Sequence, residues 1–188
     1  RCRRRLARST SSARNSCARS SRARWSSSRA ARSKASNPSS ILSLGSAGDD
    51  TGIEGDLDIS EDLTIVGTDA QNTIIDGNLT DRVFDIHKDA STVSFSELTI
   101  RNGDAGTGNG GGINIDDKDT AFTGTRIIVT GNLAEKGGGI YNDGQLNLDE
   151  AVLSFNGTID TKEGGGLFNH EEATLARTTI HHNIAQEG

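Results

Sequence analysis

One short phrase recurs in this chain at a fixed interval. Three glycines followed by Ile or Leu occur at residues 110–113, 137–140 and 164–167, with 27 residues between successive copies. Apolar, β-branched runs alternate with these phrases, and the later runs end at Asn132, Asn156 and Asn183. A fixed period of this size is typical of repeat proteins, in which each unit packs on its neighbours. We therefore expect the chain to form a solenoid.

The repeat unit consists of short strands and not helices. Apolar and polar residues alternate at residues 57–59, 93–95 and 146–148, and Gly, Asn and Asp bound these runs. Such strands cannot bury an apolar face alone, so successive coils must pair in register, about 4.8 Å apart. The sequence predicts an all-β fold, a right-handed parallel β-helix of about six coils over residues 41–188. Its expected aliphatic core is Ile65, Ile75, Ile100, Val129, Leu153 and Ile180.

The glycines and asparagines of the repeat are expected to be structural. We expect the glycines at sharp bends or at positive φ, because glycine enters such conformations at little steric cost. A phosphate-binding loop is the rival interpretation, but the phrases lack the following helix and the Lys that such a loop needs. Asn side chains at strand ends can bond their own backbone or the Asn of the next coil. The predicted structural set is Gly110, Gly111, Gly112, Gly137, Gly138, Gly139, Gly164, Gly165, Gly166, Asn132, Asn156 and Asn183.

A second register contains the candidate glycan-binding residues. Asn142 and Asn169 are 27 residues apart, and their neighbours Tyr141 and Phe168 fall into line with them. Two aromatic rings on one face of a coil stack are a candidate site for sugar rings. Aromatic residues at an edge also serve simply to cover a loop, and the sequence leaves that alternative open.

Residues 1–40 differ in composition from the rest of the chain. They contain 11 Arg, one Lys and both cysteines, Cys2 and Cys17, but no Asp, Glu or Gly. Residues 41–188 then hold 8 basic residues against all 26 acidic ones. We expect the segment to be a disordered, basic, low-complexity tail, and a cationic patch for nucleic acid or a membrane surface is an alternative. The β-helix itself is expected to bind no nucleic acid, and no stretch is apolar enough to span a membrane.

Several phrases together resemble a known family. They lie at residues 55–59, 63–67, 73–78 and 81–86 and in the three glycine phrases. They are similar to the right-handed parallel β-helix repeats of bacterial secreted and surface proteins that carry a CSLREA motif or are like polymorphic outer membrane proteins. The resemblance covers about residues 41–188 and implies an extracellular or cell-surface location in bacteria.

The chain departs from that family upstream. No Cys-Ser-Leu-Arg-Glu-Ala stretch occurs, and the change in composition near Ile41 also fits a reading-frame error. The chain has no Met and stops inside a coil after Asn183, so we expect a fragment truncated at its C-terminal end. An open final coil would invite end-to-end association.

An enzymatic alternative is a polysaccharide lyase or glycoside hydrolase of the pectate-lyase-like type. Such enzymes need carboxylates that converge on an outer groove. Asp76, Asp81 and Asp85 are the candidate catalytic residues of that alternative, which requires them to meet in one groove. Each of them also stands in turn or strand sequence where Asp is ordinary.

The sequence assigns no cofactor and no metal site. The acidic runs match no known calcium loop. His87 and His170 have no spaced partners, and His181 and His182 are expected to point to opposite faces of a strand. The function expected from the residues is therefore a non-catalytic stalk or adhesive surface that binds polysaccharide or cell-surface glycan on a lateral face.

Overall fold

The regular structure of this protein consists of β-strands. The computed structural model describes residues 40–44 and 55–188, and every regular element within these ranges is a strand. The predicted tail, with Cys2 and Cys17, lies outside the described residues except for Ser40. No helix among the described residues has the length and hydropathy needed to cross a membrane.

The strands form three parallel sheets, and each turn of the chain adds one strand to each sheet. Sheet A contains six strands, which are β1 Ser40–Ser43, β4 Thr73–Asp76, β7 Thr99–Arg101, β10 Ile128–Thr130, β13 Val152–Ser154 and β16 Thr179–His181. Sheet B contains five strands, which are β2 Leu57–Ile59, β5 Phe84–Ile86, β8 Ile113–Ile115, β11 Ile140–Asn142 and β14 Leu167–Asn169. Sheet C contains five strands, which are β3 Leu63–Val66, β6 Thr92–Ser96, β9 Ala121–Thr125, β12 Gln145–Asp149 and β15 Glu172–Ala176.

This arrangement confirms the predicted parallel solenoid. The described strands make about five turns, whereas the sequence indicated about six. The difference arises at the N-terminal end, where β1 adds a sixth strand to sheet A alone. Sheets B and C begin only with β2 and β3.

The core lies between the three sheets. Ile75, Ile100, Val129 and Leu153 are buried in it, as predicted, and stand in one register of sheet A. Ile180 continues this register, but its predicted place in the core is wrong, because β16 is the edge strand of sheet A and leaves it 46 % exposed. Ile65, the remaining predicted core residue, lies in sheet C, where it pairs with Phe95 and packs, partly buried, against the core.

Three phenylalanines fill the centre of the solenoid. The ring centroids of Phe84 and Phe95 are 4.6 Å apart, and those of Phe95 and Phe122 are 5.1 Å apart in an edge-on arrangement. All three side chains are almost fully buried. Aromatic pairs at these separations add to the stabilisation that comes from their buried area.

Asparagines connect successive coils inside one turn, as the sequence predicted. Asn132 Nδ2 donates to Asn156 Oδ1 at 3.0 Å, and Asn156 Nδ2 donates to Asn183 Oδ1 at 3.0 Å. The same amides also bind backbone carbonyls, for example Asn156 Nδ2 to the oxygen of Val129 at 2.9 Å. Asn132 and Asn156 are fully buried, so this ladder satisfies polar groups that water cannot reach.

The glycine phrases occupy the turn before sheet B. Gly110, Gly137 and Gly164, the first residue of each phrase, have φ of 61°, 60° and 59°, a left-handed conformation that favours glycine. The second glycine has no room for a side chain, because a Cβ on Gly138 would lie 2.6 Å from the backbone nitrogen of Gly157. The prediction that these residues stand at bends is confirmed.

The asparagine ladder gives the first testable prediction. In Asn156→Ala, the backbone N–H and amide of Asn132 and the carbonyl of Val129 lose their partners without gaining water. We expect a loss of about 2 to 4 kcal/mol in the free energy of unfolding, measured by denaturant titration. Asn147→Ala, at an exposed position of β12, is the control and should change stability by less than about 0.5 kcal/mol. Equal effects of the two changes would contradict the structural role of the ladder.

Candidate functional site

The middle residues of the strands in sheet B form an outward row. In β2, β5 and β8 both flanking residues are apolar and pack in or against the core, and in β11 and β14 the preceding Ile140 and Leu167 do so. The middle side chain of each strand therefore points away from the core. The strand register aligns these middle residues along the solenoid axis. The row, read from the N-terminal coil, is Asp58, Asp85, Asn114, Tyr141 and Phe168.

A second polar row runs alongside the first. Its members follow the strands directly, and their backbone N–H groups continue the hydrogen-bond ladder, for example from His87 to the oxygen of Ile59 at 2.9 Å. Residues two apart in an extended chain share a face, so the two rows are neighbours. The second row is His87, Asp116, Asp143 and His170. We call the two rows together the sheet-B face.

The N-terminal end of the sheet-B face is a compact charged cluster. Arg82 Nη1 donates to Asp85 Oδ2 at 2.9 Å, and Arg82 Nε lies 3.3 Å from Asp56 Oδ2. The other oxygen of Asp85 accepts a hydrogen bond of 2.8 Å from Asn114 Nδ2. We call Asp56, Asp58, Arg82, Asp85, His87 and Asn114 the acidic cluster.

Burial and like charges perturb the carboxyl groups of this region. The pKa of Asp56 is raised to about 7, first by burial and then by the negative charge of Asp58. The Arg82 guanidinium lowers this pKa, but by less than Asp58 raises it. Burial, with the charge of Asp85, also raises the pKa of Asp116. The region thus holds more negative charge than its basic partners neutralise.

His87, which belongs to the second row, contacts Asp58 in the first row. Its Nε2 lies 2.6 Å from Asp58 Oδ1, and this pair joins the first two coils of sheet B. Burial opposes protonation of His87, but the hydrogen bond to Asp58 and the charges of Asp85, Asp58 and Asp116 raise its pKa overall. The surrounding carboxylates therefore favour the protonated, positively charged form of the His87 imidazole.

Several polar atoms of the acidic cluster have no partner. Among the described residues, Asp58 Oδ2, Asn114 Oδ1 and Arg82 Nε are buried and make no hydrogen bond. The contact of Arg82 Nε with Asp56 is therefore an ion pair without hydrogen-bond geometry. Buried polar atoms are normally satisfied, so such a group of exceptions calls for an explanation.

The C-terminal end of the sheet-B face carries the aromatic pair. The rings of Tyr141 and Phe168 are nearly parallel, at 8°, with centroids 5.1 Å apart. Lys136 Nζ lies 5.1 Å from the Phe168 centroid and 2.7 Å from Glu163 Oε1. The register of β11 and β14 confirms the predicted alignment of the two rings. Their role in binding glycans stays a prediction.

Of the three candidate catalytic carboxylates, Asp76 lies on a different sheet from Asp85, whereas the charges of Asp81 and Asp85 both act on Asp56. Asp76 is in sheet A, where its carboxylate accepts hydrogen bonds of 2.8 Å from Arg101 Nε and 3.0 Å from Asn102 Nδ2. Asp81 lies in the connection to sheet B, and its carboxylate accepts the backbone N–H of Arg82 at 2.8 Å. Of the three, only Asp85 stands in the outward row of sheet B.

Sequence reasoning missed the acidic cluster. Asp58 and Asp85 are 27 residues apart, Asn114 follows after 29, and Tyr141 after another 27. This spacing matches the period of the glycine phrases and is the signal that could have placed these residues in one row. It was hidden because the first coils lack those phrases.

The expectation for the histidine pair was wrong. His182 follows β16 with a φ of 54°, so its side chain does not alternate with that of His181. Their Nδ1 atoms lie 2.7 Å apart, and the rings meet edge-on with centroids 4.9 Å apart. A left-handed residue at the strand end breaks the alternation on which the expectation depended.

Comparisons with known proteins gave no relative. No protein-family model matches the chain, and neither the curated proteins nor the solved structures yielded a match. What the findings define is a parallel β-solenoid with one chemically distinctive face. Its function has to be argued from that face.

Arg82 gives the second testable prediction. In Arg82→Met, Asp56 and Asp85 lose the guanidinium that lies between them in a largely buried setting. We expect the free energy of unfolding to fall by about 3 kcal/mol at pH 8, measured by denaturant titration. Lys118→Met removes the exposed pair with Asp119 and should produce no measurable change. A stable Arg82→Met variant would show that the cluster does not need this cation.

Proposed function

We propose that this chain is the repeat region of an extracellular or cell-surface protein and that its sheet-B face binds glycans without turning them over. The single observation that carries the proposal is the in-register row of Asp58, Asp85, Asn114, Tyr141 and Phe168. It combines hydrogen-bonding side chains with aromatic rings along one line. A linear ligand could follow this line along the solenoid axis.

The chemistry of the row suits sugars. Carboxylates accept hydrogen bonds from hydroxyl groups. Asp85 and Asn114 are buried, so Asp58 and the neighbouring Asp116 and Asp143 are the carboxylates that a sugar can reach. Aromatic rings supply apolar contact area with little loss of side-chain entropy. The rings of Tyr141 and Phe168 stack, so each covers one face of the other. A sugar would therefore contact the ring edges and the tyrosine hydroxyl.

The charge of the face selects among glycans. Asp58, Asp85, Asp116 and Asp143 give it a negative potential that Arg82 offsets only in part. Like charges disfavour association, so we expect neutral sugars and amino sugars to bind better than uronic acids.

The resemblance of the repeats supports the cellular setting of the proposal. The glycine phrases and strand phrases are similar to those of bacterial secreted and surface β-helices with a CSLREA motif or of the polymorphic outer membrane type. In such a setting a stack of coils holds a lateral face away from the cell at a fixed orientation.

One observation favours the second candidate, a glycoside hydrolase or polysaccharide lyase. Asp56, with a pKa of about 7, stands beside Asp58 and Asp85. Carboxyl groups with separated pKa values are what acid–base cleavage of a glycosidic bond requires. Against it, the side chain of Asp56 is nearly inaccessible, with 4 % of its surface exposed, and Arg82 covers it.

Binding to a glycan array by the full chain tests the proposal. We expect retention of neutral or amino-sugar glycans, and about tenfold weaker binding for Tyr141→Ala and for Phe168→Ala because ring contacts are lost. Asn147→Ala, exposed on sheet C, is the matched control and should bind as the parent does.

The same samples separate the alternatives. Binding that survives both aromatic substitutions would contradict the assignment of the sheet-B face. Release of reducing or unsaturated ends from the bound polysaccharide, lost in Asp56→Asn, would replace the adhesive function by the enzymatic one.

A further inference from the structure

Three potential ligand atoms meet in the acidic cluster. Asp58, Asp85 and His87 each place one carboxylate oxygen or imidazole nitrogen so that all three lie within 4.8 Å of one another. Asp58 and Asp85 are held by adjacent strands of sheet B, and His87 follows β5 directly. The atoms are thus fixed by the sheet and not by a long loop.

Asn114 adds a second, independent observation. Its side chain is buried, with 6 % of the residue exposed, and its Nδ2 donates to Asp85 Oδ1 at 2.8 Å. That bond fixes the orientation of the amide, because a flipped amide would place its oxygen against the carboxylate. The amide oxygen Oδ1 is then left without a hydrogen-bond partner among the described residues, as is Asp58 Oδ2.

Two unsatisfied acceptors in one buried cluster indicate a missing positive charge. A buried acceptor without a donor is destabilising, and a carboxylate oxygen more so than a neutral one. Arg82 pairs with Asp85 and Asp56, and among the described residues neither Asp58 Oδ2 nor the amide oxygen of Asn114 has a hydrogen-bond partner. A cation bound between Asp58 and Asn114 would satisfy both.

We propose that Asp58, Asp85, His87 and Asn114 bind one divalent first-row transition-metal ion of the Mn²⁺ or Zn²⁺ type. The set offers two carboxylates, one amide oxygen and one imidazole nitrogen. Imidazole suits transition metals, whereas Ca²⁺ prefers six to eight oxygen ligands, as a general rule. The ion replaces the hydrogen shared by His87 Nε2 and Asp58 Oδ1, which are 2.6 Å apart. These two atoms have to move apart to admit metal–ligand distances of about 2.0 to 2.2 Å. The site shares Asp58, Asp85 and Asn114 with the row of the glycan proposal, but it is argued from different observations, the converging ligand atoms and the unpartnered oxygens.

A second group on the same face provides an internal contrast. Asp143, His170 and Glu171 also bring ligand atoms within 4.8 Å of one another. His170 is 64 % exposed in its side chain, and Asp143 Oδ1 is already paired with its Nδ1 at 2.7 Å. No atom of this group is among the buried unpartnered atoms of the described residues. We therefore assign the ion to the acidic cluster only.

The test uses Mn²⁺ alone as the probe, with the full chain made without a polyhistidine tag. The competing groups are removed in a reference variant with Asp143→Asn, His170→Gln and His182→Asn, and Asn tolerates the left-handed position of His182. Cys2→Ser and Cys17→Ser remove the thiols. Bound Mn²⁺ is counted from the loss of the free-ion electron paramagnetic resonance signal. We expect one bound ion per reference chain.

Substitutions in the acidic cluster then decide the proposal. Asp58→Asn and His87→Gln, each in the reference variant, should weaken Mn²⁺ binding at least tenfold. Circular dichroism and denaturant unfolding establish that each variant is folded, and His87→Gln is well placed because this side chain is 31 % exposed. Zn²⁺ should displace Mn²⁺, and Ca²⁺ in the same excess should not.

Three outcomes overturn the proposal. The first is that the folded reference variant binds no Mn²⁺ at about 1 mM, which corresponds to a binding free energy of about −4 kcal/mol. The second is that both cluster variants bind Mn²⁺ as the reference variant does. The third is that Ca²⁺ displaces Mn²⁺ as effectively as Zn²⁺ does. The glycan proposal is tested separately, because its deciding variants change Tyr141 and Phe168, which lie outside the acidic cluster.

Discussion

Parallel, in-register pairing of one coil on the next is the constraint on which the rest of this structure depends. Each short strand has too little apolar surface to be stable alone, so it forms only when its neighbour presents the same register. Because the pairing repeats without a shift, residues far apart in sequence become a straight row at a spacing of about 4.8 Å. The two rows of the sheet-B face arise in this way, and so does the asparagine ladder.

The repeated residues serve this pairing in different ways. Asn132 and Asn156 satisfy buried backbone groups at one corner, and the glycine phrases allow the chain to turn where a neighbouring backbone comes close. At another corner Glu97, Arg126 and Glu150 stand in the left-handed conformation, and Arg126 pairs with Glu97 at 2.5 Å. Opposite charges on successive coils thus accompany a conformation that is unfavourable for such residues.

The sequence predicted what repeats and missed what depends on local differences between coils. The glycine phrases, the asparagines and the alignment of Tyr141 with Phe168 all follow from one period. The step between coils at the asparagine corner is nevertheless 29, 24 and 27 residues, because the loops differ in length. Asp76 and Asp85 lie on consecutive strands of different sheets, a separation that the repeat period alone does not reveal. The left-handed conformation of His182 could not be predicted from the alternation of apolar and polar residues in the sequence.

The central claim is that in-register stacking assembles the sheet-B face, and a spin-label distance tests it without disturbing that face. Thr64 and Thr174 are exposed on sheet C and are linked by four successive pairings. With Cys2 and Cys17 replaced by Ser, labels on Thr64→Cys and Thr174→Cys should give one narrow distance near 19 Å, about four coil spacings. A broad distribution, or a centre displaced by about one spacing of 4.8 Å, would contradict the register from which the face is built.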